Sequence, residues 1–127
     1  MSSNNGLTKT YTAEGTIGGA LIVKPGANDY GVLLAGAVSD KMIGITVADV
    51  TGNVTGDRVD VVHEGIADLK LGGTVTRGDP LTSDASGQGV TAAPSAGTNN
   101  RIIGIAMISG VSGDIIPVLL SPSMLQG

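Results

Sequence analysis

The sequence predicts an all-β protein, a compact small β-barrel or β-sandwich-like domain with a polar, extended N-terminal arm. The 127 residues are 41% hydrophobic but only 2% aromatic, with no Phe and no Trp, so the core must be built from aliphatic side chains. Val, Ile and Thr are abundant, and β-branched residues are enriched in strands. The 21 glycines indicate frequent tight turns. A chain of this length usually makes a single domain.

The first residues differ from the rest of the chain. Residues 1–16 are polar and Thr-rich, and only Leu7, Lys9 and Tyr11 alternate with the threonines. We expect a flexible arm over residues 1–16 that has no partner within the domain. The domain is expected over residues 17–122. Its first strands are expected in three apolar segments, each of which ends at turn residues: IGGALIVKPG, YGVLLAGAV and MIGITVADV.

The second half continues this pattern. RVDVVHEGIADLKLGG is expected to form two strands around Glu64 and Gly65, and TVTRGDPL a short further piece. Residues 83–100 are rich in Ser, Gly, Asn and Pro, which is typical of an exposed loop, with a short strand at 89–92. RIIGIAMI and DIIPVLL close the domain as strands, and residues 123–127 are expected to be a C-terminal tail.

A Gly-Asp pair occurs three times before apolar residues, as Gly56 and Asp57, Gly78 and Asp79, and Gly113 and Asp114. Two of the pairs lie in similar segments, IGITVADVTGNVTGDRVDVV and IGIAMISGVSGDIIPVLL, which predicts two hairpins of like design. Gly allows a positive φ, and Asp can bond neighbouring backbone N–H groups. A pair that recurs at strand starts is better explained by turn chemistry than by a repeated active site. We therefore predict structural turns at all three pairs.

The charge pattern argues against nucleic acid and membranes as partners. The net charge is −4, and the seven Lys and Arg residues are scattered rather than clustered. Without a basic stripe or aromatic platforms, direct nucleic-acid binding loses its electrostatic and stacking contributions. No segment approaches the roughly 20 apolar residues that span a bilayer, and the N-terminus has no apolar run. We expect a soluble protein that is made in the cytoplasm.

No set of residues predicts a catalytic or metal site. His63 is the single histidine, and its neighbour Glu64 should point to the opposite face of a strand, so the two cannot readily act together. Asp57 and Asp60 supply carboxylates, but a cation site normally needs several convergent ligands. The Gly-rich segments lack the lysine and the strand–loop–helix setting of a phosphate-binding loop. The sequence predicts no enzyme and no cofactor.

The order of GGTVTRGDPLTSDASGQGVTAA and RIIGIAMISGVSGDIIPVLLSP resembles the small capsid decoration, or cement, proteins of tailed bacteriophages. Members of that family typically carry a G-x-x-V-x-x-G-D-P-L-x-x-D stretch. The upstream segment GVLLAGAVSDKMIGITVADVTGNVTGDRVDVVHEG fits as well, so the resemblance covers roughly residues 17–122. It does not extend to the N-terminal arm.

The resemblance implies a non-enzymatic protein that binds the outer surface of an expanded phage head. There it would clamp neighbouring major capsid subunits against the pressure of packaged DNA, often as a homotrimer, with a dimer as the fallback. The main alternative is a receptor- or carbohydrate-binding β module of a fibre or adhesin, although sugar sites usually present aromatic faces and only Tyr11 and Tyr30 are available. An enzyme with active sites between the subunits of a trimeric barrel is a third alternative.

The arm supplies the predicted capsid-binding residues. An extended segment can add as a strand to a neighbouring sheet edge, where main-chain bonds give affinity and alternate side chains give specificity. We expect the arm to be mobile in the free protein and to become ordered against the major capsid protein, with Leu7, Lys9 and Tyr11 on one face. The predicted residues are Leu7, Thr8, Lys9, Thr10, Tyr11 and Thr12. The alternative is a dispensable leader that only improves solubility.

Overall fold

The computed structural model describes residues 4–47 and 54–127, and it confirms the all-β class. These residues form nine strands and no helix, and hence no helix that could cross a membrane. The strands are β1 Asn4–Ala13, β2 Ile22–Pro25, β3 Gly31–Leu34, β4 Gly44–Thr46, β5 Arg58–Lys70, β6 Pro80–Ser83, β7 Gly89–Thr91, β8 Asn99–Ala106 and β9 Ile115–Gln126.

All nine strands belong to one sheet, which curls into two rings that share β5. Ring 1 contains β1, β3, β2, β4 and the first half of β5, and it closes because β1 pairs with both β3 and β5. Ring 2 contains the second half of β5 followed by β9, β8, β6 and β7. A parallel bridge between Leu71 and Gly89 brings the two ends of ring 2 together.

A single long strand, β5, replaces the two strands expected around Glu64 and Gly65. Gly65 has a φ of +92°, which glycine adopts without the steric penalty of a Cβ atom. The register against β1 shifts next to this point, as it does at a β-bulge. The strand therefore bends instead of ending. Residues before the bend pair with β1 and β4, and residues after it pair with β9, although Ile66 also pairs with Asn4 of β1.

The two rings repeat the same strand pairings. The two similar hairpins expected from the sequence, β4–β5 and β8–β9, are part of this repeat, and the pairs β2–β4 and β6–β8 extend it. Residues that occupy equal positions can therefore be matched between the rings. The row Thr8, Val62, Ile45 and Ile22 of ring 1 corresponds to the row Ile66, Leu119, Ile105 and Pro80 of ring 2.

Each Gly-Asp pair lies in a four-residue turn of one design. At residues 111–114, the N–H of Asp114 donates to the C=O of Val111 at 3.0 Å, and the N–H of Val111 donates to the Asp114 carboxylate at 2.9 Å. Gly113 has a φ of +93°, as the third residue of such a turn requires. The turns at 54–57 and 76–79 have the same two bonds, with φ of +96° at Gly56 and +93° at Gly78.

Two reciprocal backbone hydrogen bonds fasten each turn to another part of the sheet. The N–H of Gly113 donates to the C=O of Leu71, and the N–H of Leu71 donates to the C=O of Asp114, both at 2.8 Å. Ala13 is bonded in the same way by the turn at 54–57, and Ala106 by the turn at 76–79. Leu71 and Ala13 also take part in the parallel pairings that close the rings, so these turns hold both rings shut.

A fourth turn of this kind lacks the Gly-Asp pair. The N–H of Ala20 donates to the C=O of Thr46 at 3.1 Å, and the N–H of Thr46 donates to the C=O of Leu21 at 2.9 Å. Ala20 has a φ of +58° and so takes the place of the glycine. The Thr46 hydroxyl donates to the C=O of Gly18 at 2.8 Å. It thereby stabilises a turn that has no aspartate, and residue types alone do not mark this turn in the sequence.

The core is aliphatic, as the composition requires, and it has two parts. The smaller cluster fills ring 1 with Ala13, Ile17, Val23, Val32, Val59 and Val61. The larger cluster fills ring 2 and continues onto the outer side of ring 1, where Ile22, Ile45 and Val62 are buried. Burying one such side chain stabilises a fold by roughly 1.5 to 3 kcal/mol. Ring 2 therefore covers one face of ring 1.

The C-terminal residues form part of a strand and not the expected tail. Strand β9 continues to Gln126, and residues 123–126 pair with residues 99–102 of β8. The loop expected over 83–100 is shorter for the same reason, since β8 begins at Asn99. Most of residues 121–126 are exposed. They therefore lack the alternation of apolar and polar residues by which a half-buried strand is identified in a sequence.

We predict that Gly56→Ala lowers the free energy of unfolding by about 1 to 2 kcal/mol, because an L-residue is disfavoured in the left-handed region. An added Cβ atom at Gly56 meets nothing within 4 Å, so backbone strain is the sole cost. Gly73→Ala is the matched control, because its Cβ atom makes an ordinary 3.7 Å contact with Val90 and its φ is not positive. Equal urea denaturation midpoints for the two variants would refute the role of Gly56.

Candidate functional site

The segment expected to be a free arm is strand β1 of ring 1. Thr8, Thr10 and Thr12 pair with β5, and Thr12 and Ala13 pair with β3. The expectation that this segment has no partner within the domain is therefore wrong. The alternation of Leu7, Lys9 and Tyr11 with threonines belongs to a strand of the domain's own sheet. The sequence could not show its partner, because β5 lies far along the chain.

One edge of β1 is open over most of its length. The pairing with β5 runs from Asn4 to Thr12, but on the other edge only Thr12 and Ala13 pair, with β3. Among residues 4–47 and 54–127, no strand pairs with the second edge of residues 4–11. Such an edge presents backbone N–H and C=O groups with which a strand of another protein can pair.

Three exposed side chains, Leu7, Lys9 and Tyr30, accompany this open edge, and together with it they are called the β1 surface. Leu7 is 51% exposed and Tyr30 is 66% exposed. The ammonium nitrogen of Lys9 lies 4.9 Å from the centre of the Tyr30 ring, which is a cation–π distance. Exposed aromatic side chains are enriched at protein interfaces. Tyr30 is thus an exposed residue of the type that such interfaces favour.

A strained turn holds Tyr30 at this surface. Its φ of +60° is uncommon for a residue with a bulky side chain. The Glu14 carboxylate accepts hydrogen bonds from the N–H groups of Ala27 at 2.7 Å and Asn28 at 3.0 Å, which fixes the turn to the end of β1. The N–H of Thr12 also donates to the C=O of Tyr30 at 2.8 Å. Strain of this kind persists where the surroundings impose it, and it is concentrated at functional sites.

His63 links β1 to the neighbouring strands. It lies at the register shift between β1 and β5, where a bulge redirects its side chain. Its Nδ1 lies 2.7 Å from the C=O of Ile43, and its Nε2 lies 2.7 Å from the hydroxyl of Tyr11. Since the neutral ring donates from Nδ1 to the carbonyl, Nε2 accepts from the phenol. Both ring nitrogens thus have structural partners.

The carboxylates that the sequence singles out also make structural hydrogen bonds. Asp57 accepts from the N–H of Val54 within its turn, and Asp60 accepts from the Thr10 hydroxyl at 2.6 Å. Glu64, the neighbour of His63, is exposed. Within the described ranges, no group of three or more His, Asp or Glu side chains could share a metal ion.

Two shallow depressions lie away from the β1 surface. One, of about 300 Å³, is lined by Met42, Arg101, Ile102, Pro122, Ser123 and Met124. The other, of about 510 Å³, contains the Lys24–Asp40 salt bridge at 3.2 Å. The N–H of Gly36 holds the pKa of the Asp40 carboxyl below its ordinary value, burial opposes this shift, and Lys24 lowers the pKa further. Asp40 is therefore ionised at neutral pH and cannot serve there as a general acid.

The alternation in the sequence predicts that Leu7 and Lys9 lie on one face, but no pattern in the sequence predicts a place for Tyr30 beside them. The residue lies in the turn sequence GANDYG, which indicates a loop and nothing more. A bulky aromatic residue in a turn was the available signal, because turns favour Gly, Asn, Asp, Ser and Pro. The positive φ that directs Tyr30 outward can be found from the structure alone.

Comparison with solved structures relates the fold to a phage protein. The chain is similar to the N base of the head fiber gp8.5 of bacteriophage phi29, with a TM-score of 0.64 and 17% sequence identity. The match covers 95% of this chain and 98% of that chain. No family model matches the sequence, and no curated protein matches it. At this identity the likeness establishes the fold.

We predict that the phenol of Tyr11 ionises above its ordinary pKa of 10.0. Burial disfavours the phenolate, and the nearby Tyr30 adds a smaller effect in the same direction. Because the pKa of the folded state is raised, this contribution to stability is present below pH 10 and is lost as the pH rises through the raised value. In the Tyr30→Phe variant, Tyr11 is the one remaining tyrosine, so an ultraviolet titration observes its phenol alone. The variant keeps the burial of Tyr11, which is the main cause of its raised pKa. A midpoint no higher than that of the urea-unfolded variant would contradict the burial of Tyr11.

Proposed function

We propose that this chain is a structural protein of a tailed-phage head and binds the outside of the expanded shell through the β1 surface. Its proposed partner is the major capsid protein. It acts by contacts and not by catalysis, because the carboxylates and the histidine of this region already bond to the domain itself. The likeness of its fold to a head fiber base supports a place on a phage head.

The observation that carries this proposal is the open edge of β1 beside exposed Leu7, Lys9 and Tyr30. A capsid strand that lies along residues 4–11 gains main-chain hydrogen bonds, while Leu7 and the Tyr30 ring supply apolar contact. Pairing with β5 already orders β1. Binding therefore avoids most of the cost of ordering a free segment, about 1 to 2 kcal/mol per residue.

The closure of the rings supports the proposed clamping action. Each ring is shut by backbone hydrogen bonds at its turns, so that a force on β1 is distributed over β5 and β3. A domain of this construction that contacts two neighbouring capsid subunits opposes their separation. This is the cement function that the sequence resemblance implies.

We predict that Leu7→Asp and Tyr30→Gly each weaken binding to undecorated expanded heads at least about tenfold, the loss typical of an interface hot spot. Tyr30→Gly is the sharper variant. Glycine adopts the positive φ without strain, so its thermal midpoint should equal or exceed that of the unmodified protein. Val38→Asp is the control, because it places the same charge at an exposed valine away from β1.

Co-sedimentation of purified variants with heads measures the effect. Undiminished binding of both folded variants would rule out the β1 surface as the contact. A loss with Val38→Asp that equals the loss with Leu7→Asp would show that added negative charge, and not the β1 surface, is responsible.

A second candidate function is the anchoring of a head fibre, favoured by the match to the N base of a head fiber. The receptor- or carbohydrate-binding role considered from the sequence belongs to this fibre class. An anchor binds the head without strengthening it, whereas a clamp strengthens it. We predict that saturating protein raises the temperature at which DNA-filled heads release DNA. Saturated binding with an unchanged release temperature would favour the anchor.

A further inference from the structure

We propose that the ends of β8 and β9 furthest from their connecting loop form a second docking site, which binds an extended segment of another protein that carries acidic and apolar side chains. The site consists of the free edge of β9 over residues 121–126 and the depression of about 300 Å³ beside it. Together they are called the β9 groove. The depression is lined by Met42, Arg101, Ile102, Pro122, Ser123 and Met124.

The second half of β9 is paired on one edge and free on the other. Its pairing with β8 continues to Gln126, whereas its pairing with β5 ends at Leu119. Beyond Leu119, no strand within residues 4–47 and 54–127 pairs with that second edge. Residues 121–124 are exposed, so the edge is accessible. Its N–H and C=O groups can therefore pair with a strand from another protein.

The depression beside this edge is largely apolar. Arg101 and Met124 are directly paired across β8 and β9, so their side chains lie on the same face of the two strands. Met42, which precedes β4, adds a wall from ring 1. Met42 is 6% exposed and Met124 is 53% exposed. Methionine side chains adapt to the shape of a partner and are common at binding surfaces. The depression therefore suits an apolar side chain of a docked strand.

Arg101 brings a positive charge without a counter-ion into the depression. The residue is half-buried, and its guanidinium group has no hydrogen-bond or ion-pair partner among the residues that the structure describes. Its backbone N–H donates to the C=O of Val38 at 2.8 Å, which fixes this part of β8. A half-buried cation is stabilised by a carboxylate, with which a guanidinium group can form two parallel hydrogen bonds. Arg101 therefore favours an acidic side chain in the docked segment.

The surroundings of the β9 groove also favour an acidic partner. Lys41 lines the depression of about 510 Å³ and the next residue, Met42, lines the β9 groove, so the two depressions are neighbours. The larger one also contains Lys24. Asp40 is the one acidic residue in the two linings, and it is already bonded to Lys24 and to the N–H of Gly36. Three cationic side chains thus lie close together on a chain whose net charge is −4. Charge complementarity selects an acidic segment.

These features specify the pattern of the docked segment. Successive side chains of a strand point to opposite faces, so the acidic and the apolar side chain that enter the β9 groove lie two positions apart. The β9 groove and the β1 surface use different edges of the sheet, so one chain can bind both partners at once. The domain then connects a phage head to the protein that supplies the segment. This connecting role rests on the proposed function, whereas binding of the segment does not.

The first test is the binding of a fluorescein-labelled, C-terminally amidated peptide, Thr-Glu-Thr-Leu-Thr-Glu-Thr, followed by fluorescence anisotropy. A glutamate lies two positions from the leucine on each side, so the peptide can dock in either strand direction. The comparison peptide has glutamine in place of both glutamates. We expect saturable binding of the acidic peptide and at least about tenfold weaker binding of the glutamine peptide, because a charge-assisted pair is lost. No binding of the acidic peptide, or equal binding of the two, overturns the proposal.

The second test uses variants of the protein, each shown to be folded by circular dichroism. Arg101→Gln should weaken binding of the acidic peptide about tenfold and leave binding of the glutamine peptide unchanged. Met124→Glu, at a largely exposed side chain, places a repelling charge in the β9 groove and should also weaken binding of the acidic peptide. Arg77→Gln is the matched control, because it removes the same charge from an exposed turn residue. Unchanged affinity in either folded groove variant overturns the proposal, as does an equal loss with Arg77→Gln.

The third test examines the strand pairing. One acidic peptide is methylated at the backbone nitrogens of its glutamates and leucine, and another at those of its threonines. Since alternate residues of a strand direct their N–H groups to the same edge, docking through one edge predicts that one of these peptides binds much more weakly than the other. Equal affinities would rule out strand addition. Because no heads are present in these tests, failure here and failure of the β1 surface are separate results.

Discussion

The bend in β5 is the constraint on which the rest of the structure depends. Gly65 and the adjacent register shift let one 13-residue strand pair with β1 and β4 before the bend and with β9 after it. If β5 were straight, it would belong to one ring, and the other ring would lack one of its strands. Because the same strand belongs to both rings, the outer side of ring 1 packs against ring 2. Val62 on that side belongs to the larger core cluster.

Four turns with a positive φ at their third residue fasten this arrangement, and two of them, at 54–57 and 111–114, lie where the rings close. Each fastens a segment by two short backbone hydrogen bonds, and net contributions of about 0.5 to 1.5 kcal/mol per bond accumulate over the set. The turns leave the side chains between them free to differ. Ring 1 has the exposed Arg58 at the position where ring 2 has the exposed Ile115. The shared backbone determines the fold, and the unshared side chains determine what each ring can bind.

The parts of the fold that depend on local residue chemistry could be predicted from the sequence, namely the strand class, the aliphatic core and the turns at the Gly-Asp pairs. The turn at Ala20 could not, because a distant threonine replaces the aspartate. That residues 4–13 form an ordered strand could not be predicted either, because this strand pairs with β5, which lies far along the chain. In the candidate site, the alternation of Leu7 and Lys9 with threonines was enough to predict that these two side chains share a face. The role of Tyr30 depends on a φ value that no residue pattern shows.

The proposed function depends on β1 being ordered on one edge and available on the other. Hydrogen exchange with mass spectrometry, on free and head-bound protein, tests this most directly, because strand addition protects backbone amides. The proposal predicts that amides of residues 4–11 exchange more slowly on the head than in solution, while those of the turn at 111–114 do not change. Unchanged exchange over residues 4–11, with new protection elsewhere in the chain, would contradict it.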